Sequence, residues 1–73
     1  MSDFSERIKA LRQEQGMTQE ALGKVIGVKR DSIYTYETGK NYPEVRNLIV
    51  LADYFGVSTD YLLGRTDNPE VNR

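Results

Sequence analysis

Side chains that can recognise a partner through hydrogen bonds are concentrated in one short segment. It runs from Thr18 to Lys40, TQEALGKVIGVKRDSIYTYETGK. Helical spacing turns Ile33 and Tyr36 inward, so the polar residues before and between them are free to face outward. Four of these share that outward face: Arg30, Asp31, Tyr34 and Thr35. A guanidinium can donate two hydrogen bonds to guanine, a hydroxyl can bond a base or touch a thymine methyl, and a carboxylate can accept from cytosine. The chemistry offered is recognition of base edges.

The chain lacks the residues on which most enzymes and zinc sites depend. It contains no His and no Cys, so it has neither the commonest general base, nor a thiolate nucleophile, nor the usual zinc ligands. Asp53 and Asp60 flank a helix junction among polar residues, where acids are far more often solvated or capping than catalytic. We therefore predict no enzyme activity, no metal site and no cofactor.

The outward face needs a rigid support, and the pattern predicts a helix-turn-helix. An apolar set at helical spacing forms one inward face: Leu22, Ile26, Val28, Ile33 and Tyr36. Gly23 would let the second helix approach closely, and Gly27 occupies the turn, where positive φ costs glycine little. A generic helical hairpin is the alternative, since apolar residues at this spacing are more often only core. The second helix of a helix-turn-helix lies in the DNA major groove.

The remaining pattern predicts an all-α fold of five short helices with no period-two strand pattern. The expected bounds are Phe4 to Gln15, a second helix after Thr18, Lys29 to Glu37, Pro43 to Phe55, and Thr59 to Leu63. Asp3 with Glu6, Thr18 and Ser58 should cap helix starts, and Gly16, Gly39 and Gly56 should follow helix ends. The fourth helix should bury Val45, Leu48, Leu51, Ala52 and Phe55.

Length, charge and hydropathy place limits on the class of protein. The 73 residues allow one domain, over 1–64, with 65–73 as a polar tail or a linker to a possible further domain. No apolar run could span a membrane and no signal peptide is evident, so we expect a cytoplasmic protein. The net charge is −1. Basic residues nevertheless outnumber acidic residues between Lys24 and Arg46, and acidic residues predominate after Arg46. This uneven distribution of charge would orient the domain on DNA. The weak overall positive charge predicts low non-specific affinity for DNA.

The segment from Arg7 to Gly64 resembles the DNA-binding domain of the Cro/repressor family, also called the xenobiotic-response-element family. The resemblance rests on RIKALR, TQEALG, YETGK and ADYFGVSTDYLLG. It implies a compact five-helix, lambda-repressor-like fold in a bacterial or phage transcriptional regulator, commonly a dimer on a palindromic operator. The family normally has Ser or Thr where this chain has Lys29, so a capping hydroxyl is replaced by a cation.

Roles for individual residues follow from the resemblance and from helical phase together. Arg30 is the first choice for reading a base, with a phosphate contact as the alternative. Tyr34 and Thr35 either contact a base or are only helix surface. Asp31 either accepts a hydrogen bond from a cytosine amino group or has only a structural role in the first turn of the helix, where the helix dipole favours an acid. The candidate phosphate contacts are Gln19, Lys29, Thr38, Lys40, Asn41 and Arg46, with Tyr42 as an addition, and Gln19 could also brace Arg30.

Two further expectations concern structure and assembly. Arg12 and Glu37 fall on inward helix edges, so we expect a partly buried ion pair between the first and third helices. Val50 and Tyr54 sit four apart on the fourth helix and are predicted to form an exposed apolar pair that joins a homodimer. Sequence-specific double-stranded DNA binding by a repressor or regulator is the leading function. The alternative is an antitoxin-like or adaptor module that uses this fold mainly for protein contacts, which the acidic pI favours.

Overall fold

A computed structural model describes residues 3–71, and over that range the chain forms five helices and no strand. The helices are α1 (Phe4–Glu14), α2 (Gln19–Ile26), α3 (Arg30–Glu37), α4 (Val45–Phe55) and α5 (Thr59–Leu62). None of these is long and apolar enough to cross a membrane. The all-α prediction is confirmed, and the predicted bounds of α1, α3 and α5 differ from the structure by one residue each.

The predicted helix caps form as expected. Asp3 accepts a hydrogen bond from the Glu6 amide at 3.1 Å while Glu6 accepts from the Asp3 amide at 3.4 Å, which completes a capping box. Thr18 caps α2 and Ser58 caps α5 by accepting from backbone amides three residues on. Such caps typically stabilise a helix by about 0.5 to 2 kcal/mol each. Local side-chain chemistry therefore fixes where three of the five helices begin.

The core draws on every helix and buries one face of α3. Its fully buried side chains are Phe4, Ile8, Leu22, Ile33, Leu51 and Leu62. Tyr36 joins them with its ring edge-on to Phe4, and burial raises the pKa of its hydroxyl. Because α3 packs against both α1 and α2, its inward face is held from two sides. Its outward face is left to solvent.

The start of α4 differs from the prediction. The helix begins at Val45 instead of Pro43, because Glu44 has an extended ψ of 161° and acts as a cap residue without a side-chain hydrogen bond. Val45, predicted to be buried, is 72% exposed. It lies in the first turn of α4, about 10 Å along the axis from Ala52, and so projects past the edge of the core. Leu51 and Ala52 are buried as predicted.

Arg7 is a buried residue that the sequence interpretation missed. It is only 8% exposed, and its guanidinium donates to the carbonyls of Tyr61 (2.9 Å) and Thr66 (2.7 Å) and to the Asp67 carboxylate (2.6 Å). It also lies 4.0 Å from the centre of the Tyr61 ring. One charged side chain of α1 thus holds α5 and the segment after it.

The polar segment after Gly64 packs against the domain over part of its length. The Ser58 amide donates to the Pro69 carbonyl at 3.0 Å, and the Arg65 amide donates to the Asp60 carbonyl at 2.8 Å. Together with the Arg7 contacts, these bonds hold the backbone as far as residue 69. The division into a domain over 1–64 and a tail or linker over 65–73 stays a prediction, and residues 72 and 73 lie outside the described range.

Gly23 shows why the turn between α2 and α3 requires a missing side chain. A Cβ there would lie 2.6 Å from the backbone oxygen of Val28, closer than real contacts allow. We predict that Gly23→Ala lowers the free energy of unfolding by about 1 to 3 kcal/mol, despite the better helix propensity of alanine. Urea unfolding measures this loss. The exposed neighbour Lys24→Ala is the control and should change it little, whereas equal stability of the two variants would contradict the close approach.

Candidate nucleic-acid interface

The predicted base-reading residues lie together on the outward face of α3. The side chains of Arg30 and Asp31 are 64% and 88% exposed, and Tyr34 is 50% exposed. Thr35 is half-buried on the same side. Ile33 and Tyr36 point the opposite way into the core, as predicted. The helix therefore separates into one buried side and one side that carries hydrogen-bonding groups.

Arg30 is free to reach a partner. Its closest acid is the adjacent Asp31, with Nη2 and Oδ1 3.9 Å apart. An exposed pair at this distance contributes about 0 to 1 kcal/mol, so a base edge or a phosphate can replace it. Asp31 lies in the first turn of α3, where an acid is favoured by the helix dipole.

The two threonines of this face use their hydroxyl protons within the helix. Thr35 donates to the carbonyl of Ser32 at 2.8 Å, and Thr38 donates to the carbonyl of Thr35 at 3.2 Å. Each hydroxyl oxygen keeps an acceptor site, and each side chain keeps its methyl group. Thr35 can therefore offer a methyl contact or an acceptor to a base while its proton stays in the helix.

A buried ion pair locks α3 onto α1. The Arg12 guanidinium donates from Nε and Nη2 to the two Glu37 oxygens at 2.6 and 2.9 Å, and from Nη1 to the Met17 carbonyl at 2.7 Å. The Glu37 side chain is 2% exposed. The hydrogen bond to Glu37 raises the pKa of Arg12, so the guanidinium remains charged. The predicted pair is confirmed, and its two parallel bonds fix the orientation of α3.

Gln19, at the first position of α2, belongs to the same network. Its side-chain amide donates to Glu37 Oε1 at 3.2 Å. The expectation that Gln19 would brace Arg30 is therefore corrected: the carboxylate of Glu37 lies within reach and holds the amide instead. Its second amide proton and its side-chain oxygen make no hydrogen bond to residues 3–71, which leaves them for an outside group.

Candidate phosphate-binding residues flank α3 at both ends. Lys29 immediately precedes the helix and makes no capping bond, as expected from its departure from the family pattern. Lys40 and Asn41 follow the helix and are exposed, and Arg46 is exposed in the first turn of α4. Asn41 folds back to accept from the Tyr42 amide at 3.2 Å. Exposed cations thus lie on either side of the outward face of α3.

The predicted apolar pair on α4 needs correction. Val50 is half-buried and packs against the core, lining a groove with Val28. The cause is the end of α2 and the turn after it, which cover this side of α4. Tyr54 is exposed as expected, at 44%, but the exposed aliphatic side chains of α4 are Val45 and Ile49. The apolar surface therefore lies further round the helix than predicted.

Two short helices joined through a glycine turn, with a polar outward face on the second helix and cations at both its ends, define a helix-turn-helix domain of the DNA-binding class. The chain belongs to the helix-turn-helix family, which it matches over residues 8–62. The predicted resemblance to repressors and the predicted class are confirmed, and the relatives are transcriptional regulators and repressors, not enzymes.

Known proteins of this family resemble the chain along most of its length. The uncharacterized HTH-type transcriptional regulator YobD of Bacillus subtilis is 36% identical over 92% of the chain. The repressor protein C2 of Salmonella phage P22 is 40% identical over 82% of the chain and 28% of its own length. The chain spans 58% to 60% of the length of YobD and two other Bacillus subtilis relatives.

Solved structures agree with the lambda-repressor-like fold. The crystal structure of the P22 c2 repressor with a synthetic operator superimposes with a TM-score of 0.81 at 36% identity, covering 86% of this chain and 96% of that one. The biofilm regulator SinR, solved in complex with DNA, gives a TM-score of 0.72 at 26% identity over 82% of this chain and 97% of that one. The compact five-helix prediction is confirmed.

Proposed function

We propose that this domain binds double-stranded DNA sequence-specifically, with α3 in the major groove, as the DNA-binding part of a transcriptional repressor or regulator. One observation carries the proposal: an exposed set of hydrogen-bonding side chains lies on a helix whose orientation is locked by the buried Arg12–Glu37 pair. Recognition needs this combination, because base contacts discriminate only when their geometry is fixed. The P22 repressor, solved on an operator, supports the assignment.

Base reading is assigned to four residues of α3: Arg30, Asp31, Tyr34 and Thr35. Arg30 stands at the leading tip of the helix, where its planar guanidinium can donate to O6 and N7 of guanine. Asp31 accepts a hydrogen bond from a cytosine amino group only where the phosphates, which repel its carboxylate, are distant. Otherwise it stabilises the first turn of α3 through the helix dipole. Tyr34 and Thr35 provide hydroxyl oxygens, and Thr35 adds a methyl group for thymine.

Positioning on the DNA backbone is assigned to the residues around α3: Gln19, Lys29, Thr38, Lys40, Asn41 and Arg46. Gln19 opens α2 while Lys40 and Asn41 follow α3, so phosphates on both sides of the groove can be held. Lys29, Lys40 and Arg46 supply the positive charge. Three cations per domain make non-specific binding weak, since that binding comes from phosphate neutralisation.

The same proposal includes a homodimer on a palindromic operator in the cytoplasm of a bacterium. Two copies related by a two-fold axis would place their α3 helices in successive major grooves about 34 Å apart. The relatives are longer than the segment that they share with this chain, which supports a further domain beyond residue 73 as part of this proposal.

Selection of bound sequences from random duplex DNA tests this function. We expect enrichment of a two-fold symmetric site whose half-site centres lie about one helical turn apart. Enrichment of a single half-site would keep the DNA-binding function and remove the dimer. A selection that enriches no sequence above the input would contradict sequence-specific binding altogether.

A further inference from the structure

The outer face of α4 carries two exposed aliphatic side chains that DNA binding does not use. Val45 and Ile49 are one turn apart and are 72% and 47% exposed, although both are aliphatic. Arg46 and Asp53 border this apolar strip and are exposed. Within residues 3–71 neither of these two charges forms an ion pair. The α4 face, defined as Val45, Arg46, Ile49 and Asp53, is therefore unpartnered inside the domain.

The charges of the α4 face are complementary to those of a second, antiparallel copy of the same face. Arg46 and Asp53 are seven positions apart, about 10 Å along the helix, so they cannot pair with each other. If a second α4 lies antiparallel with the two-fold axis between positions 49 and 50, each Arg46 stands opposite the other copy's Asp53. Ile49 then meets Ile49 at the centre. Such self-complementarity is the requirement of an isologous two-fold interface.

We propose that the α4 face is the docking surface for a second copy of this chain, with the two α4 helices antiparallel. This inference rests on the proposed function, because it names the surface through which the proposed homodimer forms. Val45 and Ile49 lose their water contact, and two Arg46–Asp53 pairs flank them and set the register. Charge pairs of this kind contribute specificity and orientation more than affinity.

The size of the surface predicts a weak dimer. A standard interface buries about 800 Å² on each partner, roughly one sixth of the 4868 Å² that this domain exposes. Four side chains on one helix cover less than that area. We therefore expect the two copies to associate only weakly without DNA. Two half-sites would then bring the copies together on an operator.

Charge reversal tests the register without DNA, so any phosphate contact of Arg46 plays no part. Sedimentation equilibrium should show that Arg46→Asp and Asp53→Arg each weaken dimerisation about fivefold or more, because like charges then face each other. The double variant, Arg46→Asp with Asp53→Arg, should regain the wild-type dissociation constant of the dimer, because opposite charges again face each other with their positions exchanged. Lys9→Asp makes the same change of net charge as Arg46→Asp at an exposed position of α1 and should leave dimerisation unchanged.

Three results would overturn the inference: a wild type that stays monomeric at about 1 mM, single variants that dimerise like the wild type, or a double variant as weak as the singles. Ile49→Asp separates this inference from the proposed function. It should abolish the dimer while one copy still binds a single half-site. If dimerisation follows the charges but no duplex is bound, the α4 interface stands and the DNA-binding function falls.

Discussion

Glu37→Ala is expected to lower the free energy of unfolding by about 3 to 5 kcal/mol, the cost of leaving one buried charge without its partner. Glu37 is 2% exposed and receives three hydrogen bonds, two from Arg12 and one from Gln19. Removal of the carboxylate strands the Arg12 guanidinium among α1, α2 and α3. A domain of this size has little stability to spare, so thermal and urea unfolding should both show a clear shift.

A matched set of variants shows whether the loss belongs to the pair. Arg12→Ala should destabilise to a similar degree, because it leaves the Glu37 carboxylate buried alone. The double variant Arg12→Met with Glu37→Leu should recover much of the loss, since a well-packed apolar pair can replace a buried ion pair. A loss below about 1 kcal/mol for Glu37→Ala would mean that the pair behaves as a surface salt bridge.

Arg30→Ala is expected to remove discrimination at one base pair of the selected half-site. A bidentate contact to guanine distinguishes it from another base by about 1 to 3 kcal/mol, or about 5- to 150-fold in affinity. The variant should bind two duplexes with nearly equal affinity: the selected site, and the same site with the contacted guanine replaced by another base. The Arg30 side chain is 64% exposed and its ion pair with Asp31 is loose, so the fold should persist, which circular dichroism checks.

Lys29 supplies the control for this experiment. It adjoins Arg30 and carries the same charge, but it precedes α3 as the cap residue and is assigned to a phosphate. Lys29→Ala should therefore weaken binding to all duplexes by a similar factor and reduce the salt dependence by about one charge. If Arg30→Ala gives this uniform pattern instead, Arg30 is a backbone contact, and base reading falls to the other residues of α3.

The features that could be predicted from sequence are those set by local chemistry. A capping oxygen at Thr18 or Ser58 acts on an amide three residues away, and Gly27 takes its left-handed φ of 76° within one turn. The inward placement of Ile33 and Tyr36 follows from helical phase alone. These rules also gave the outward face of α3. The shared outward placement of the candidate base-reading residues could thus be predicted, because one helix carries them all, while their roles stay predictions.

The features that were missed depend on contacts distant in sequence. Val50 is covered by the α2–α3 turn, and Arg7 is buried by a segment about 60 residues away. Arg7 did carry a signal, because it lies between Phe4 and Leu11 at helical spacing and so interrupts an apolar stripe. A charge in that position implies that its buried guanidinium has hydrogen-bond partners, yet their identity depends on how the segment after Gly64 packs. Local pattern cannot supply that information.

The charge of the chain still leaves a protein-binding module as the rival function. A net charge of −1 is unusual for a DNA-binding domain, and an adaptor would use the same fold without reading bases. The two functions differ in their response to salt. Release of counterions makes DNA binding weaken steeply as salt rises, whereas a mainly apolar protein contact depends little on it.

The most direct test is a titration of the selected duplex and a scrambled duplex of equal length at two salt concentrations. With three phosphate-binding cations in each of two copies, the logarithm of affinity should fall with the logarithm of salt with a slope of about −5. At each concentration the selected duplex should bind about a thousandfold or more tighter than the scrambled one. Equal affinity for the two duplexes, or a slope near zero, would contradict sequence-specific DNA binding by α3.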